Sequence, residues 1–127
     1  MEGASDYEIR REAGNELVLS RADLSIRRFF ALDHDVYEAG TLSRKHKELM
    51  GLVASAVLRC NDCISHHLIT AVERGASDEE IIESLGIALV VGGSITIPHL
   101  RHALMFLETI DRKENASPED GHEESPS

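Results

Sequence analysis

The chain is poor in aromatic residues: three phenylalanines, two tyrosines and no tryptophan in 127 residues. Its core must therefore be built from Leu, Ile, Val and Ala. Positive charge is also short, with 13 Lys and Arg against 23 Asp and Glu and a net charge of −10. No stretch is strongly basic, which argues against nucleic acid or an anionic membrane as partner. Long apolar runs are missing too. The longest, Leu52–Leu58 and Ile87–Val91, are far too short to cross a bilayer. The opening MEGASDYEIR lacks the basic and apolar regions of a signal peptide, so a cytoplasmic, soluble protein is the expectation. Cysteine is nearly absent: Cys60 and Cys63 are the only two. In a reducing compartment such a lone pair reads as catalytic or metal-binding before it reads as a structural staple.

What is present is helical patterning, in a length that suits one domain. Ile9, Ala13 and Leu17 form a stripe that predicts an amphipathic first helix, weakened by Gly14. Ser20 or Asp23 can cap a second helix with Leu24, Phe29, Leu32 and Val36, ending near Gly40. Residues 1–40 thus read as a helical arm, and 41–112 as the core. Ser43 is a plausible N-cap for a central helix that is apolar or small on every side from Leu49 to Leu58. A helix of that kind is expected to be buried all round, which in so small a chain implies a partner subunit. Gly51, Ala54 and Ser55 would let a neighbouring helix come close. Ile64, Leu68, Ile69 and Val72 continue the pattern to a stop at Gly75. Ser77 and Glu80 form a capping box for a helix reaching about Val91, and Gly92-Gly93 breaks it. Pro98 opens the last helix, with Leu100, Leu104, Leu107 and Ile110 on one stripe. Residues 113–127 have almost no apolar side chains and read as a disordered acidic tail. Ser94–Ile97 is the nearest candidate for a strand and is too short. The fold class is all-α, with five to six helices around a central antiparallel pair.

The chemistry gathers in Glu48–His67, ELMGLVASAVLRCNDCISHH. Cys60-Asn61-Asp62-Cys63 places two sulfurs one turn apart, close enough to exchange electrons as a disulfide. With helices on both sides, the dithiol falls at a helix–helix corner and Cys63 in the first turn of the second helix, where the helix dipole favours thiolate. His67 is four residues beyond Cys63 and lies over it, as a base for the thiol must. Asp62 works the other way, because a neighbouring negative charge raises a thiol's pKa. Zinc is the competing reading: Cys60, Cys63 and His67 supply three ligands, and His66, His99 or His102 could supply a fourth. The second distant ligand couple of usual structural zinc sites is missing. On its own, the local geometry leaves the order of attack between the two cysteines open. His66 reads as a solvent or interface residue, and His99 and His102 as helix-surface partners.

Glu48, eleven residues, Cys60, two residues, Cys63, three residues, His67 resembles the motif of the alkyl hydroperoxidase D-like proteins of the carboxymuconolactone decarboxylase superfamily. The surrounding KELMGLVASAVLRCNDCISHHLITAVERGASDEEI and the later IALVVGGSITIPHLRHALMFLE are similar to that superfamily as well, so the likeness covers roughly residues 40 to 110. Asp62 departs from it, standing where the alkyl hydroperoxidase D proteins have histidine. The resemblance implies a thiol-dependent peroxidase or disulfide reductase with catalytic Glu48, Cys60, Cys63 and His67. In it Cys63 attacks peroxide or disulfide, Cys60 resolves the product, His67 relays the proton, and Glu48 orients His67 through a water. It implies no bound cofactor or metal, an external thiol reductant, and assembly into homotrimers or hexamers. A redox-sensing module without turnover is the alternative. Lactone decarboxylation, after which the superfamily is named, is disfavoured because that branch does not resemble this chain at the two cysteines.

Overall fold

The computed structural model describes residues 1–112; the segment read as an acidic tail, 113–127, lies outside the described residues. In chain order come α1 (Ala4–Arg21), α2 (Leu24–Tyr37), α3 (Arg44–Val57), α4 (Asn61–Glu73), α5 (Asp78–Gly92), a 3-10 turn (Ser94–Thr96) and α6 (Ile97–Leu107). No strand occurs among the described residues, and the Ser94–Ile97 stretch is the 3-10 turn running into α6. The architecture is all-α, as the patterning requires.

Local chemistry fixes where α2, α3 and α5 start. Asp23 accepts from the Ile26 amide at the head of α2, and Ser43 from the His46 amide at the head of α3. Ser77 and Glu80 form the capping box of α5, and Glu80 also accepts from the buried Lys45 ammonium at 2.9 Å. Each satisfies amides that a helix start leaves without intrahelical partners.

Helix ends matter more for the site. α4 closes on Gly75 (φ 93°), with the Gly75 amide donating to Val72 O and the Ala76 amide to Ala71 O. α3 closes with the same pair of bonds: the Arg59 amide donates to Ala56 O at 3.1 Å and the Cys60 amide to Ser55 O at 3.0 Å. Here the left-handed position is held by Arg59 (φ 62°) in place of glycine. The Cβ of an L-residue costs roughly 1–2 kcal/mol in that conformation. Arg59→Gly is therefore expected to stabilise the fold by about 0.5–1 kcal/mol, read as a higher urea midpoint with unchanged slope. A lower midpoint would mean that the arginine side chain contributes more than its backbone costs.

The core lies between α3, α4, α5 and α6, around Leu52, Ala56, Ile64, Leu68, Ile81 and Phe106. α3 packs chiefly on α4 and α5, and α6 on α4. Apolar faces stay open within a single chain. The stripe of α1 does not face this core: Ile9 is 68% and Leu17 56% exposed, and α1 is anchored instead through buried Ala4 and Tyr7. The Tyr7 ring meets Phe106 edge-on at 5.7 Å between centroids, which ties only the first two turns of α1 down. Within a single chain the central helix is likewise covered on one side only, so burial all round takes the partner subunit that the sequence implies. Glu48, Leu49, Leu52, Ser55 and Ala56 face inward, while Met50, Ala54 and Leu58 are exposed, because α4 and α5 cover only one side of it. α2 ends at Tyr37, three residues short of Gly40, and buries no residue, leaving Leu24, Phe29, Leu32 and Val36 in the open.

Candidate active site

The α3 ending described above delivers Cys60 straight into the N-cap of α4, so one residue closes one helix and opens the next. The Cys60 sulfur accepts a hydrogen bond from the Cys63 amide at 3.2 Å, doing what a Ser or Asp oxygen does at other helix starts. The Cα atoms of Cys60 and Cys63 are 5.3 Å apart and their sulfurs lie at disulfide distance. Cys63 is exposed and Cys60 half-buried. Cys63 is thus the more accessible sulfur, and Cys60, the one best placed to carry negative charge at the helix start, sits behind it.

One turn along α4, His67 is buried against α3. Its Nδ1 lies 2.8 Å from Glu48 Oε1, a direct contact where the family likeness implied a water between them. α3 and α4 are close enough here to leave no room for one. A Cβ on Gly51 would stand 2.6 Å from Tyr37 Oη and 2.7 Å from His67 Cε1, so only glycine admits the two rings over α3. Glu48 is 1% exposed and also accepts from Thr70 Oγ1 at 2.7 Å and from Arg44 Nε at 3.1 Å. Burial alone would raise its carboxyl pKa. Hydrogen bonds from His67 and Thr70, the charge of His67 and the Arg44 guanidinium outweigh burial and hold it below the ordinary value.

An ionised Glu48 can only accept, so Nδ1 of His67 carries a proton and Nε2 is the ring nitrogen left to exchange one. Tyr37, the last residue of α2, brings its hydroxyl to 3.5 Å from that nitrogen, with the rings 5.3 Å apart. Burial, then the charges of Glu48 and Asp33, raise the Tyr37 pKa, which keeps its hydroxyl protonated.

The structure therefore brings together Glu48 with His67 and Cys60 with Cys63. α4 itself links the two pairs, and the described hydrogen bonds of His67 run to Glu48 and Tyr37, not to a sulfur. Sequence reasoning missed Tyr37, Arg44 and Thr70. The i, i+4 spacing of Arg44 to Glu48 was the one local signal available.

Of the neighbouring histidines, His66 departs from its sequence reading, while His99 and His102 are partners of another helix, as read. His66 is half-buried beside His67, with ring centroids 5.1 Å apart. Burial, then the charges of Arg11 and His67, push its pKa down to about 4, so it is neutral at physiological pH. His99 Nδ1 lies 2.8 Å from Asn61 Oδ1, and His102 Nε2 lies 2.9 Å from Ser65 Oγ. Both therefore grip the start of α4. Potential metal ligands gather within 4.8 Å at Glu48, His66 and His67, and neither cysteine belongs to that cluster. The zinc set read from the sequence, both sulfurs with His67, is thus not the cluster the fold assembles among the described residues. In the cluster it does assemble, the carboxylate is already engaged by Arg44, Thr70 and His67.

A helical chain with a Cys-x-x-Cys pair at a helix corner and a Glu–His pair one turn behind it defines the alkyl hydroperoxidase D-like class. The chain belongs to the carboxymuconolactone decarboxylase family, whose model matches residues 25–108. A Thermotoga maritima crystal structure is similar at TM-score 0.79 and 63% identity, covering 80% of this chain and 90% of that one. A second structure of that protein, at TM-score 0.77 and 62% identity over 80% and 86% of the two chains, is described as a family member with a suggested part in antioxidative response. A Legionella pneumophila family protein in its apo form is similar at TM-score 0.76 and 26% identity, over 83% and 94% of the two chains. A Paracoccus denitrificans protein known as uncharacterized protein 4 in the cox locus is 33% identical over 93 residues, 72% of this chain and 84% of its own length. No helix among the described residues is long and apolar enough to cross a membrane.

Proposed function

We propose that the chain is a thiol-dependent peroxidase or disulfide reductase. The observation that carries this reading is an exposed Cys63 at disulfide distance from Cys60, one turn from a buried Glu48–His67 pair. In the peroxide reaction the Cys63 thiol passes its proton toward His67, and its sulfur attacks the distal oxygen of the hydroperoxide. The O–O bond breaks, the alkoxide leaves and takes up a proton, and Cys63 becomes a sulfenic acid. The Cys60 sulfur then attacks Cys63, forming the disulfide and releasing water. Two thiols of an external reductant return the pair to the dithiol and are themselves joined as a disulfide. Such a cycle suits a reducing compartment such as the cytoplasm, and the suggested antioxidative part of the Thermotoga maritima relative is in keeping with it.

The reading is tested by thiol trapping and mass measurement. Substoichiometric hydroperoxide should remove two free thiols per chain and two hydrogens of mass, with no chain-to-chain link, and a dithiol reductant should reverse it. Repeated cycles that consume peroxide separate an enzyme from a sensor. Disulfide-linked dimers as the main product would sink the intramolecular pair.

Assembly belongs to the same proposal. The open apolar faces, among them Leu24, Phe29, Leu32 and Val36 on α2 and Ile87, Val90 and Val91 on α5, support a homo-oligomer, trimer or hexamer. Light scattering should give a mass several times 14.0 kDa that salt does not dissociate, since the contact is apolar. A stable monomer at micromolar concentration would overturn it.

A further inference from the structure

The two residues between the cysteines are held from outside. Asn61 is gripped by His99 of α6, as described above, while Asp62 is gripped by α1. The Tyr7 hydroxyl donates to Asp62 O at 2.8 Å and reaches its Oδ2 at 3.5 Å. Arg10 Nη2 donates to Asp62 Oδ1 at 2.7 Å. The guanidinium is aimed by Glu2, whose two carboxylate oxygens accept from Arg10 Nε at 3.0 Å and Nη2 at 3.1 Å. It also lies over the Tyr7 ring, 5.2 Å from the centroid. Tyr7 is 2% exposed, so this end of α1 is a built contact with the Cys-x-x-Cys turn, and the rest of the helix stands away from it.

The consequence is electrostatic. Asp62 places a negative charge directly before Cys63, in a chain whose net charge is already −10, and this disfavours a thiolate beside it. We infer that Arg10 is a positioning residue for the dithiol: by pairing with Asp62, while shared with Glu2, it offsets part of the charge inside the Cys-x-x-Cys turn and so keeps Cys63 reactive at neutral pH. The inference rests on the redox reading of Cys60 and Cys63 and adds a residue to it. Other groups also face the dithiol: Arg59 precedes Cys60, Glu2 and Tyr7 come with Arg10 from the α1 end, His99 and His102 come from α6, and His67 with Glu48 lies one turn on. Of these only Arg10 makes an ion pair with the residue between the cysteines. Both members of that pair are more than half exposed, so the effect is a tuning and not a switch.

The experiment is the pH profile of Cys63 alkylation by iodoacetamide in the fully reduced, full-length protein, followed by peptide mass. Arg10→Ala should slow the reaction at neutral pH by about threefold and move the profile to higher pH, whereas Asp62→Asn should move it to lower pH. In the Asp62→Asn background Arg10→Ala should have little further effect, because its partner is already gone. Arg10→Lys should restore most of the rate, and 1 M salt should erase most of the difference, as it screens an exposed pair. Tyr7→Phe keeps the ring on Phe106 and the charge on Arg10, so it should leave the profile in place. An equal Arg10→Ala effect with and without Asp62, or a Tyr7→Phe shift as large as that of Arg10→Ala, would overturn the inference. The two failures are distinguishable: thiols that form no reversible disulfide defeat the redox reading, while a working disulfide with an unmoved profile defeats only the part given to Arg10.

Discussion

Cys63→Ser is expected to reduce hydroperoxide consumption to the uncatalysed level, while Cys60→Ser should keep one stoichiometric burst and then stop. The asymmetry follows from where the two sulfurs sit. Cys63 is exposed on the first turn of α4, whereas Cys60 is half-buried at the N-cap with its sulfur already accepting from the Cys63 amide. With Cys63 gone, no exposed thiol meets the peroxide. With Cys60 gone, Cys63 can still be oxidised once, but no neighbouring thiol can condense with the sulfenic acid, which should then be trappable with a dimedone-type probe. In the disulfide direction, the same placement should make Cys63 the sulfur attacked by the external thiol, with Cys60 leaving as the thiolate held by the helix start. If Cys60→Ser were the silent variant and Cys63→Ser gave the burst, the order of attack would be reversed and the exposure argument would be wrong.

Much of this arrangement was legible in the residues alone. Ser43, Asp23 and the Ser77/Glu80 box are short-range signals, each satisfied by an amide three positions on, and all three open the helices they predict. The Cys60–Cys63 spacing and the His67 offset are equally local, since a helix carries them rigidly. What was not legible depends on contacts far apart in the chain. Ile9, Ala13 and Leu17 carry a good helical stripe, yet periodicity says only that a face exists and not that the same chain covers it. α1 docks through Tyr7 instead, 55 residues from the Asp62 it touches, and no local pattern encodes that. The direct contact between Glu48 and His67 is a matter of interhelix distance. That distance is set by Gly51, which sequence reading took for a site of contact with a neighbouring helix and the structure uses to seat the His67 and Tyr37 rings. His99 and His102 were legible as helix-surface partners but without their targets, for the same reason: Asn61 and Ser65 lie nearly forty residues earlier.

The second large effect is expected from the buried relay. His67→Ala and Glu48→Gln should each slow Cys63 oxidation at neutral pH on the order of a hundredfold, the usual worth of a positioned base. Raising the pH toward the free thiol value of about 8.5 should restore much of the rate, because solvent then supplies the thiolate. The two losses should not add if Glu48 acts only by accepting from His67 Nδ1, 2.8 Å away, and so leaving Nε2 to take the proton. His66→Ala is the control: the neighbouring ring is already neutral, its pKa pushed down to about 4, and its loss should leave the rate nearly unchanged. Stability supplies an independent check with a definite sign. The Glu48 pKa is depressed by folding, so its contribution is present above the ordinary carboxyl value of 4.5 and is lost as pH falls through the lower folded value. The wild type should therefore lose more stability than Glu48→Gln on acidification through that range. A rate deficit in Glu48→Gln without this acid signature would mean that glutamine disturbs packing around His67. A His66→Ala deficit as large as that of His67→Ala would remove the relay and leave an unassisted dithiol.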